Sequence, residues 1–385
     1  MNNIKFLHLV SRTRKLCGGY AKHPGFLQQS VKRCMQTSAS ISQITKEKEV
    51  FHDVLPGIID NLQSRSKIAQ LPELRSWVRK VLEHNLSGGK HSRGLITMLS
   101  YEMLESPENI TDEKQKLSRV LGWCVEMLQA YFIVVDDIID GSTTRRGMPC
   151  WYRMPNVGLG AINDSILIHC ANMETLETYF GNTQYYVDVV KLFNEALLLT
   201  SIGQHLDFTT AQRIKDYSLF TIERYESIVR YKTSCYTFRL PVLLGLSLVN
   251  GVDENLNEQV DAICMKLGHL FQMQDDYIDC YGDESVTGKA GTDIQEGKCS
   301  WLAVTALQRC NESQKALFTQ HYGSKELTDV EIIKRLYNDL GLPEVYRQEE
   351  TDVYDDIILK VRALPSERAP AFFHKLIDRI YKRKY

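Results

Sequence analysis

The sequence predicts an all-α protein, and three observations support this fold class. From Val50 onward, apolar residues recur at helical spacing, the 385 residues include only ten prolines, and no segment sustains the period-2 alternation of a strand. Several of the predicted helices are apolar around most of their circumference, which indicates buried, central positions. No linker rich in proline, serine or glycine divides the body, so we expect one large helical domain at residues 46–385.

The first 45 residues differ in composition from the rest of the chain. They carry seven lysines and arginines but no acidic residue, since the first acid is Glu47, and hydroxyl residues cluster near their end. A basic, hydroxyl-rich and acid-free segment is typical of a mitochondrial transit peptide. We therefore expect a mitochondrial protein, or a cytoplasmic one if residues 1–45 are only a disordered basic leader.

The composition of the body excludes several classes of protein. Without the leader, 39 basic residues stand against 48 acidic ones, and this negative balance argues against nonspecific nucleic-acid binding. The sequence contains no uninterrupted apolar stretch of about 18 residues, so it predicts no membrane-spanning helix. The ten cysteines are scattered without a Cys-x-x-Cys pair, which favours reduced intracellular thiols over a zinc site.

The predicted helices follow one another along the body, with glycine concentrated between them. Apolar periodicity alone defines each of them. They are Leu74–Leu86, Leu117–Asp140, Val187–Leu206, Leu219–Tyr231, Val260–Asp279 and Phe372–Tyr381.

Two of these helices end in the same acidic pattern, Asp-Asp-x-x-Asp. On a helix, the first and last aspartates of each triplet lie on one face about one turn apart, where like charges repel. Oxygen ligands of this kind suit Mg²⁺, which is usually bound by one or two carboxylates together with substrate phosphates. A single copy is more often a solvated acidic face, but two copies after apolar runs predict a metal site. The metal ligands that this predicts are Asp136, Asp137, Asp140, Asp275, Asp276 and Asp279.

Basic residues accompany both triplets at positions suited to phosphate binding. Guanidinium groups bind phosphate oxygens in a bidentate manner, and paired glycines let the backbone approach a ligand closely. Each group also has an ordinary interpretation, as a turn, as ion pairs with the aspartates or as a solvated tail. The basic candidates are Lys90 and Arg93 in the segment Ser87–Gly94, Arg145 and Arg146, Lys232, Lys289 in the glycine-rich segment Gly288–Asp293, Lys298, and the C-terminal run that contains Arg383.

Together these groups predict a site for two diphosphates. One diphosphate would be held by Mg²⁺ between the two triplets, and the second by lysine and arginine alone. Loss of the first diphosphate requires stabilisation of the leaving oxygens, which Mg²⁺, Arg and Lys provide. The carbocation that remains needs a dry cavity, which the buried apolar helices would supply.

The chain resembles the short-chain trans-isoprenyl diphosphate synthases, specifically the eukaryotic farnesyl diphosphate synthases, from about Phe51 to Lys384. Many motifs carry this resemblance in order, among them Gly-Gly-Lys-x-x-Arg-Gly, Leu-Gln-Ala-Tyr-Phe-x-Val-x-Asp-Asp-x-x-Asp, Thr-Arg-Arg-Gly, Gly-Gln-x-Leu-Asp, Tyr-Lys-Thr, Phe-Gln-x-Gln-Asp-Asp-Tyr-x-Asp and Ile-Tyr-Lys-Arg. The resemblance implies an all-α isoprenoid-synthase fold, a single helical bundle around a deep central cavity. It also implies a homodimer and three Mg²⁺ ions, for which Mn²⁺ is a possible substitute.

The resemblance implies a role for each candidate residue in condensing isopentenyl diphosphate with an allylic diphosphate. The two aspartate triplets would bind the ions on either side of the allylic diphosphate, with Asp136 and Asp275 also counted as catalytic. Thr233, Gln272 and the carbonyl of Lys232 would stabilise the cation. Contacts to the allylic diphosphate would come from Arg145, Lys232, Lys289 and Lys298. Isopentenyl diphosphate would bind Lys90, Arg93, Gln129, Arg146 and Arg383.

Two aromatic residues before the first triplet predict the length of the product. In the family, aromatic residues four and five positions before the first aspartate limit the growing chain. Here they are Phe132 and Tyr131, which predicts a C15 product made from dimethylallyl and geranyl diphosphate. Packing alone would equally allow two aromatic core residues at these positions.

Five positions depart from the farnesyl synthase pattern and leave two alternatives open. One alternative is a related terpene synthase that ionises farnesyl diphosphate alone, and the other is a catalytically silent partner subunit. The first should lack the residues for isopentenyl diphosphate and the second should have decayed aspartate motifs, yet both sets are intact. The synthase is therefore favoured. The unusual residues are Arg239 for Tyr, His269 for Glu, Gly297 for Asn, Val135 for Ala and Ser92 for Asn.

Overall fold

The computed structural model describes residues 45–212, 216–283 and 291–381. The chain divides into two units, Met1–His52 and Asp53–Tyr385. In the first unit the described part is a helix, α1, at residues 45–52. Nearly all of the predicted leader lies outside the described residues, so its boundary at residue 45 stays a prediction.

The second unit is built from helices, which confirms the predicted all-α class. Two strands of two residues, β1 (Thr144–Arg145) and β2 (Met148–Pro149), form a small antiparallel hairpin. The helices of this unit are α2 (Leu55–Ser64), α3 (Ser66–Ala69), α4 (Pro72–Leu86), α5 (Ser92–Leu104), α6 (Asp112–Ile139), α7 (Ala161–Phe180), α8 (Tyr186–Ala211), α9 (Ile222–Ile228), α10 (Leu240–Leu246), α11 (Glu254–Tyr281), α12 (Asp293–Glu296), α13 (Trp301–Arg309), α14 (Glu312–His321), α15 (Leu327–Asp339), α16 (Leu342–Arg362) and α17 (Ala369–Tyr381).

Helix α6 is central to the fold and carries the first aspartate triplet at its C-terminal end. Thr111 caps its start by accepting a hydrogen bond from the Lys114 amide (3.2 Å), and two acidic residues complement the first turn. The helix packs against α5 and α7. Within the described residues, it is the one helix whose length and composition would allow it to cross a membrane, and 67% of its apolar window is buried inside the protein.

The predicted helix Leu219–Tyr231 differs most from the observed structure. Thr221 caps α9 through a hydrogen bond from the Arg224 amide, and after Ile228 the backbone widens into a π-helical segment, Val229–Arg239. Such segments are rare and occur frequently at functional sites. This one carries Lys232 and Thr233, two of the predicted site residues.

Two glycines explain how the π-helical segment is held between α8 and α11. A Cβ at Gly203 of α8 would lie 2.1 Å from the Lys232 amide nitrogen, and a Cβ at Gly268 of α11 would lie 2.1 Å from Ser234 Oγ. Any side chain at these positions would push the helices apart. The two glycines therefore allow the backbones to approach closely enough to place Lys232 and Thr233 between the helices that carry acidic residues.

Candidate active site

The first aspartate triplet lies at the end of α6, and each carboxylate has a different partner. Asp136 accepts a hydrogen bond from Gln204 Nε2 (2.6 Å), and Asp137, which is only 2% exposed, accepts one from Arg145 Nε (3.0 Å). Asp140 caps the helix and lies 3.3 Å from Lys298 Nζ. Burial, together with the charge of Asp136, raises the pKa of Asp140. This end of α6 therefore concentrates negative charge that favours a bound cation.

A buried aspartate from α8, Asp207, joins two lysines into what we call the lysine–aspartate cluster (Asp207, Lys232 and Lys298). Its Oδ2 lies 2.5 Å from Lys232 Nζ and 3.4 Å from Lys298 Nζ. Lys232 also reaches Asp136 at 3.6 Å. Burial opposes charge on all three groups, but their mutual attraction outweighs it, so the pKa of Asp207 is lowered and the pKa values of both lysines are raised. The two ammonium groups therefore stay charged beside the first triplet.

The second triplet lies near the end of α11, where the chain also encloses its carboxylates. Asp276 is 4% exposed and accepts hydrogen bonds from the Trp301 amide and from Gln272 Nε2, both at 2.8 Å. Burial, with a contribution from the charge of Asp275, raises the pKa of Asp276 to about 7. The last carboxylate, Asp279, accepts a hydrogen bond from the Asp293 amide at the start of α12 (2.9 Å).

The π-helical segment connects the two triplets through adjacent residues. Lys232 contacts Asp136 of the first triplet, as described above. The next residue, Thr233, donates a hydrogen bond to Gln272 Oε1 (2.8 Å), and Gln272 in turn donates to Asp276. The two aspartate motifs, 139 residues apart in sequence, therefore border one site that contains the three predicted cation-stabilising groups.

Arg93 lies in a second polar network at the start of α5. It donates to Gln129 Oε1 (2.7 Å), to Tyr236 OH (2.9 Å) and to Thr237 Oγ1 (2.8 Å), and its guanidinium carbon lies 4.4 Å from the centre of the Tyr236 ring. Two predicted binding residues, Arg93 and Gln129, are thus in contact. Tyr236 and Thr237 complete this network, and the sequence did not single them out.

Arg146 lies across the glycine-rich turn that precedes α5. Its Nη1 is 3.3 to 3.4 Å from the carbonyl oxygens of Asn85, Ser87 and Gly88, and a Cβ at Gly89 would lie 2.9 Å from its Nε. Burial lowers the pKa of Arg146, and Arg93 and Arg145 add to this effect. Lys90, another residue predicted for the second diphosphate, is exposed in the same turn.

Tyr131 and Phe132 lie on α6, one turn before the first triplet. Their ring centres are 5.0 Å apart with an edge-to-face orientation. Phe132 also lies 6.1 Å from the Tyr236 ring, and Tyr131 lies 5.6 Å from His169. The two predicted length-determining residues therefore belong to an aromatic cluster that includes part of the Arg93 network.

Three of the five unusual residues have a visible structural consequence. Arg239 ends the π-helical segment and pairs with Glu195 of α8 (2.8 Å) and with Asp261 of α11. Burial lowers the pKa of His269 to about 4, and Lys266 adds to this. Gly297 has a φ of +65° at the end of α12, a left-handed conformation that Asn also adopts, so the replacement preserves the turn before Lys298.

The predicted metal ligands supply only oxygen donors, which is the donor set of Mg²⁺ and Mn²⁺. Among the residues that the structure describes, no three His, Cys, Asp or Glu side chains converge as a metal group. The aspartates of the first triplet instead contact Gln204, Arg145 and Lys298. The six carboxylates fit a divalent cation in the chemistry of their donor atoms and in their charge.

Some functional residues were missed by sequence reasoning, and two predicted ones lie outside the described residues. Asp207 and Gln204 were not named as site residues, although both belong to the Gly-Gln-x-Leu-Asp motif. A buried aspartate in an apolar helix was the available signal. Lys289 and Arg383 lie outside the described part of the chain, so their roles stay predictions.

Comparisons with known proteins agree with this site. Residues 75–340 match the family described as Polyprenyl synthetase. The Farnesyl pyrophosphate synthase of Murgantia histrionica is 40% identical over 342 residues, which cover 89% of this chain and 84% of that protein. The Farnesyl pyrophosphate synthase of Panax ginseng is 43% identical over 311 residues, or 80% of this chain and 91% of that protein. The solved structure of T. brucei Farnesyl Diphosphate Synthase Complexed with Risedronate has a TM-score of 0.81 and 33% identity, covering 88% of this chain and 100% of that one.

Proposed function

Because the chain belongs to the polyprenyl synthetase family and is a trans-prenyltransferase of the farnesyl diphosphate synthase type, we propose which of its residues perform each step. The reaction condenses isopentenyl diphosphate with dimethylallyl and then geranyl diphosphate, and it yields farnesyl diphosphate and diphosphate. The observation that carries the assignment of residues is the link from Asp136 through Lys232, Thr233 and Gln272 to Asp276.

The allylic diphosphate binds between the two triplets. Asp136, Asp137 and Asp140 would hold Mg²⁺ on one side, and Asp275, Asp276 and Asp279 on the other, for three ions in total, with Mn²⁺ as a substitute. Ions held by these carboxylates would supply positive charge to stabilise the departing diphosphate. The raised pKa values of Asp140 and Asp276 support this assignment, because both reflect buried carboxylates that a cation would stabilise.

Lysine and arginine side chains hold the same diphosphate by exchanging their partners. Lys232 and Lys298 contact aspartates in the lysine–aspartate cluster, and Arg145 contacts Asp137. Phosphate oxygens are acceptors of the same kind, so these cations remain paired when the substrate enters. Lys289 would add a further contact.

Isopentenyl diphosphate binds at the other basic group. Lys90, Arg93 and Arg146 surround the turn before α5, and Gln129 fixes the Arg93 guanidinium at 2.7 Å. Arg383 would complete this group. The allylic carbon that becomes cationic lies beside Thr233, Gln272 and the carbonyl of Lys232, whose dipoles stabilise the charge without capturing it. Attack by the isopentenyl double bond and loss of a proton complete the condensation, with the departing diphosphate as base.

The product is a C15 chain because Tyr131 and Phe132 limit the depth of the cavity. Their edge-to-face contact gives a rigid aromatic barrier one turn below the first triplet. This proposal rests on their position on α6 and on the contact of Phe132 with Tyr236.

The chain functions as a homodimer. Exposed apolar side chains recur along α7 and α8, a pattern that marks a protein–protein interface when the patch is contiguous. Ile202→Glu should convert a dimer into a monomer in size-exclusion chromatography with light scattering, and a wild-type monomer would contradict the proposal. The exposed residues on these helices are Ile162, Ile166, Val187, Leu198, Ile202 and Phe208.

The enzyme acts in mitochondria. This proposal rests on the composition of residues 1–45 alone. A fluorescent protein fused behind residues 1–45 should enter mitochondria, whereas the same fusion with its basic residues changed to glutamine should stay in the cytoplasm. A cytoplasmic location of the unchanged fusion would contradict the proposal.

One assay distinguishes the synthase from its two alternatives. The full chain is incubated with Mg²⁺ and geranyl diphosphate, with and without isopentenyl diphosphate, and separately with farnesyl diphosphate alone. A C15 diphosphate that requires isopentenyl diphosphate is the expected result. A volatile terpene from farnesyl diphosphate alone would indicate a terpene synthase, and silence in all assays a partner subunit; either would contradict the proposal. The curated relatives, named as farnesyl diphosphate synthases, do not favour the terpene synthase.

A further inference from the structure

The face of α11 opposite the active site packs on α16 through a buried polar contact. Glu350 of α16 is 8% exposed, and its Oε1 accepts hydrogen bonds from Gln274 Nε2 and from Tyr346 OH, both at 2.8 Å. Gln274 immediately precedes the second aspartate triplet. A buried carboxylate is costly unless its hydrogen bonds are satisfied, so this contact is specific in its geometry.

Gln274 depends on Glu350 for its orientation. Its side chain is buried, and its Oε1 has no hydrogen-bond partner among the described residues. The bond to Glu350 therefore orients the amide and ties this turn of α11 to α16. A small rotation of this helix would displace Asp275 and Asp276, which follow directly.

Tyr346 adds a second contact between the same two helices. Its ring stacks on Tyr277, inside the second triplet, at 3.9 Å between centres and 10° between planes. Its ring also lies edge-to-face with that of Trp301, with 5.8 Å between the ring centres, and the Trp301 amide donates to Asp276 Oδ2 (2.8 Å). Tyr346 thus contacts one neighbour of Asp276 along α11 and another across the site.

We propose that Glu350 and Tyr346 are positioning residues for the second metal-binding triplet. Neither residue is among those proposed to bind the ions or the substrates. They hold α11 and Trp301 in the arrangement that aims Asp275 and Asp276 at the site, as residues behind metal ligands commonly do. This inference rests on the proposed metal-binding role of the second triplet.

Binding of Mn²⁺ in the presence of inorganic diphosphate, followed by electron paramagnetic resonance, tests the proposal without turnover. Glu350→Leu replaces the acceptor by an apolar side chain of similar size, and it should weaken Mn²⁺ binding about 5- to 10-fold. Glu350→Gln keeps Oε1 and should stay within about twofold of wild type. Tyr346→Phe keeps the stacked ring, and its affinity for Mn²⁺ should lie between those of the two Glu350 variants.

Glu105 provides a matched control because it is also a buried carboxylate with two hydrogen-bond donors, at Ser106 and Asn250. Glu105→Leu removes the acceptor in the same way and should lower the melting temperature without changing Mn²⁺ binding. If Glu350→Leu does not fold, Tyr346→Phe and Glu350→Gln still give the comparison.

Two results would overturn the inference, and they are distinguishable. If wild type binds Mn²⁺ with diphosphate and both Glu350→Leu and Tyr346→Phe bind it equally well, the positioning role fails alone. If wild type itself binds no Mn²⁺ with diphosphate, the proposed metal site fails and the inference fails with it. The half-maximal Mg²⁺ concentration for condensation should shift by the same factor as Mn²⁺ affinity.

Discussion

Replacing Asp207 by asparagine would test whether the two active-site lysines are held in place by a single buried carboxylate. Both ammonium groups lie against the same oxygen, at 2.5 and 3.4 Å, and Asp207 is only 7% exposed. Asn keeps the size of the side chain but removes its charge. Two buried cations then share a weaker acceptor.

The size of the effect follows from the partners that remain. Removing one member of a buried ion pair costs about 3–5 kcal/mol when the other is left alone. Here Lys232 keeps Asp136 at 3.6 Å and Lys298 keeps Asp140 at 3.3 Å. We therefore expect Asp207→Asn to lower the free energy of unfolding by about 2–3 kcal/mol.

Mg²⁺ and inorganic diphosphate should reduce this loss. Phosphate oxygens supply the negative charge that the variant lacks, so the ligand should increase the unfolding free energy of the variant more than that of wild type, by about 1 kcal/mol or more. Urea denaturation with and without ligand measures both quantities. Asp188→Asn on the same helix α8 is the control, because its pair with Lys191 is exposed and should contribute little. An equal loss with and without ligand would refute the reasoning.

Three further changes have defined outcomes. Phe132→Ala should deepen the cavity and shift products toward C20 or longer, and unchanged product length in chromatography would contradict the role of this ring. Burial keeps His269 neutral in the folded state. The contribution of this group to the free energy of unfolding of the wild type should therefore fall by about 3 kcal/mol as the pH falls from about 6.5 through about 4. The His269→Gln variant should not show this loss when its unfolding free energy is measured by urea denaturation at each pH. A pH dependence of stability identical to that of the wild type would contradict the prediction. Arg239→Tyr breaks two half-exposed ion pairs and should lower the free energy of unfolding by about 1 kcal/mol without changing the product. A new product from this variant would refute the prediction.

The positions of the two aspartate triplets were predictable because their signal is local. A repeated acidic pattern at the end of an apolar helix fixes both the helix and the face of the carboxylates. The same applies to Arg93 and Gln129, which belong to motifs that define the family. In the structure, Arg93 donates a hydrogen bond to Gln129 Oε1 at 2.7 Å.

The lysine–aspartate cluster and the π-helical segment were not predictable in the same way. Periodicity predicted an ordinary helix ending at Tyr231, because the widening of the backbone depends on the close approach of two other helices at Gly203 and Gly268. Asp207 belongs to the Gly-Gln-x-Leu-Asp motif, but its pairing with Lys232 and Lys298, which come from distant parts of the chain, is visible only in the structure. Contacts across long sequence separations leave no local pattern.

The tight contacts at Gly203 and Gly268 also limit how the backbone that carries Lys232 and Thr233 can move. Because both faces of the π-helical segment touch neighbouring backbone or side-chain atoms, the segment has no room to slide when a diphosphate arrives. Lys232 and Thr233 would exchange partners by rotation about their side-chain bonds rather than by a shift of the backbone. The backbone of this segment is therefore expected to keep its position whether or not a diphosphate is bound.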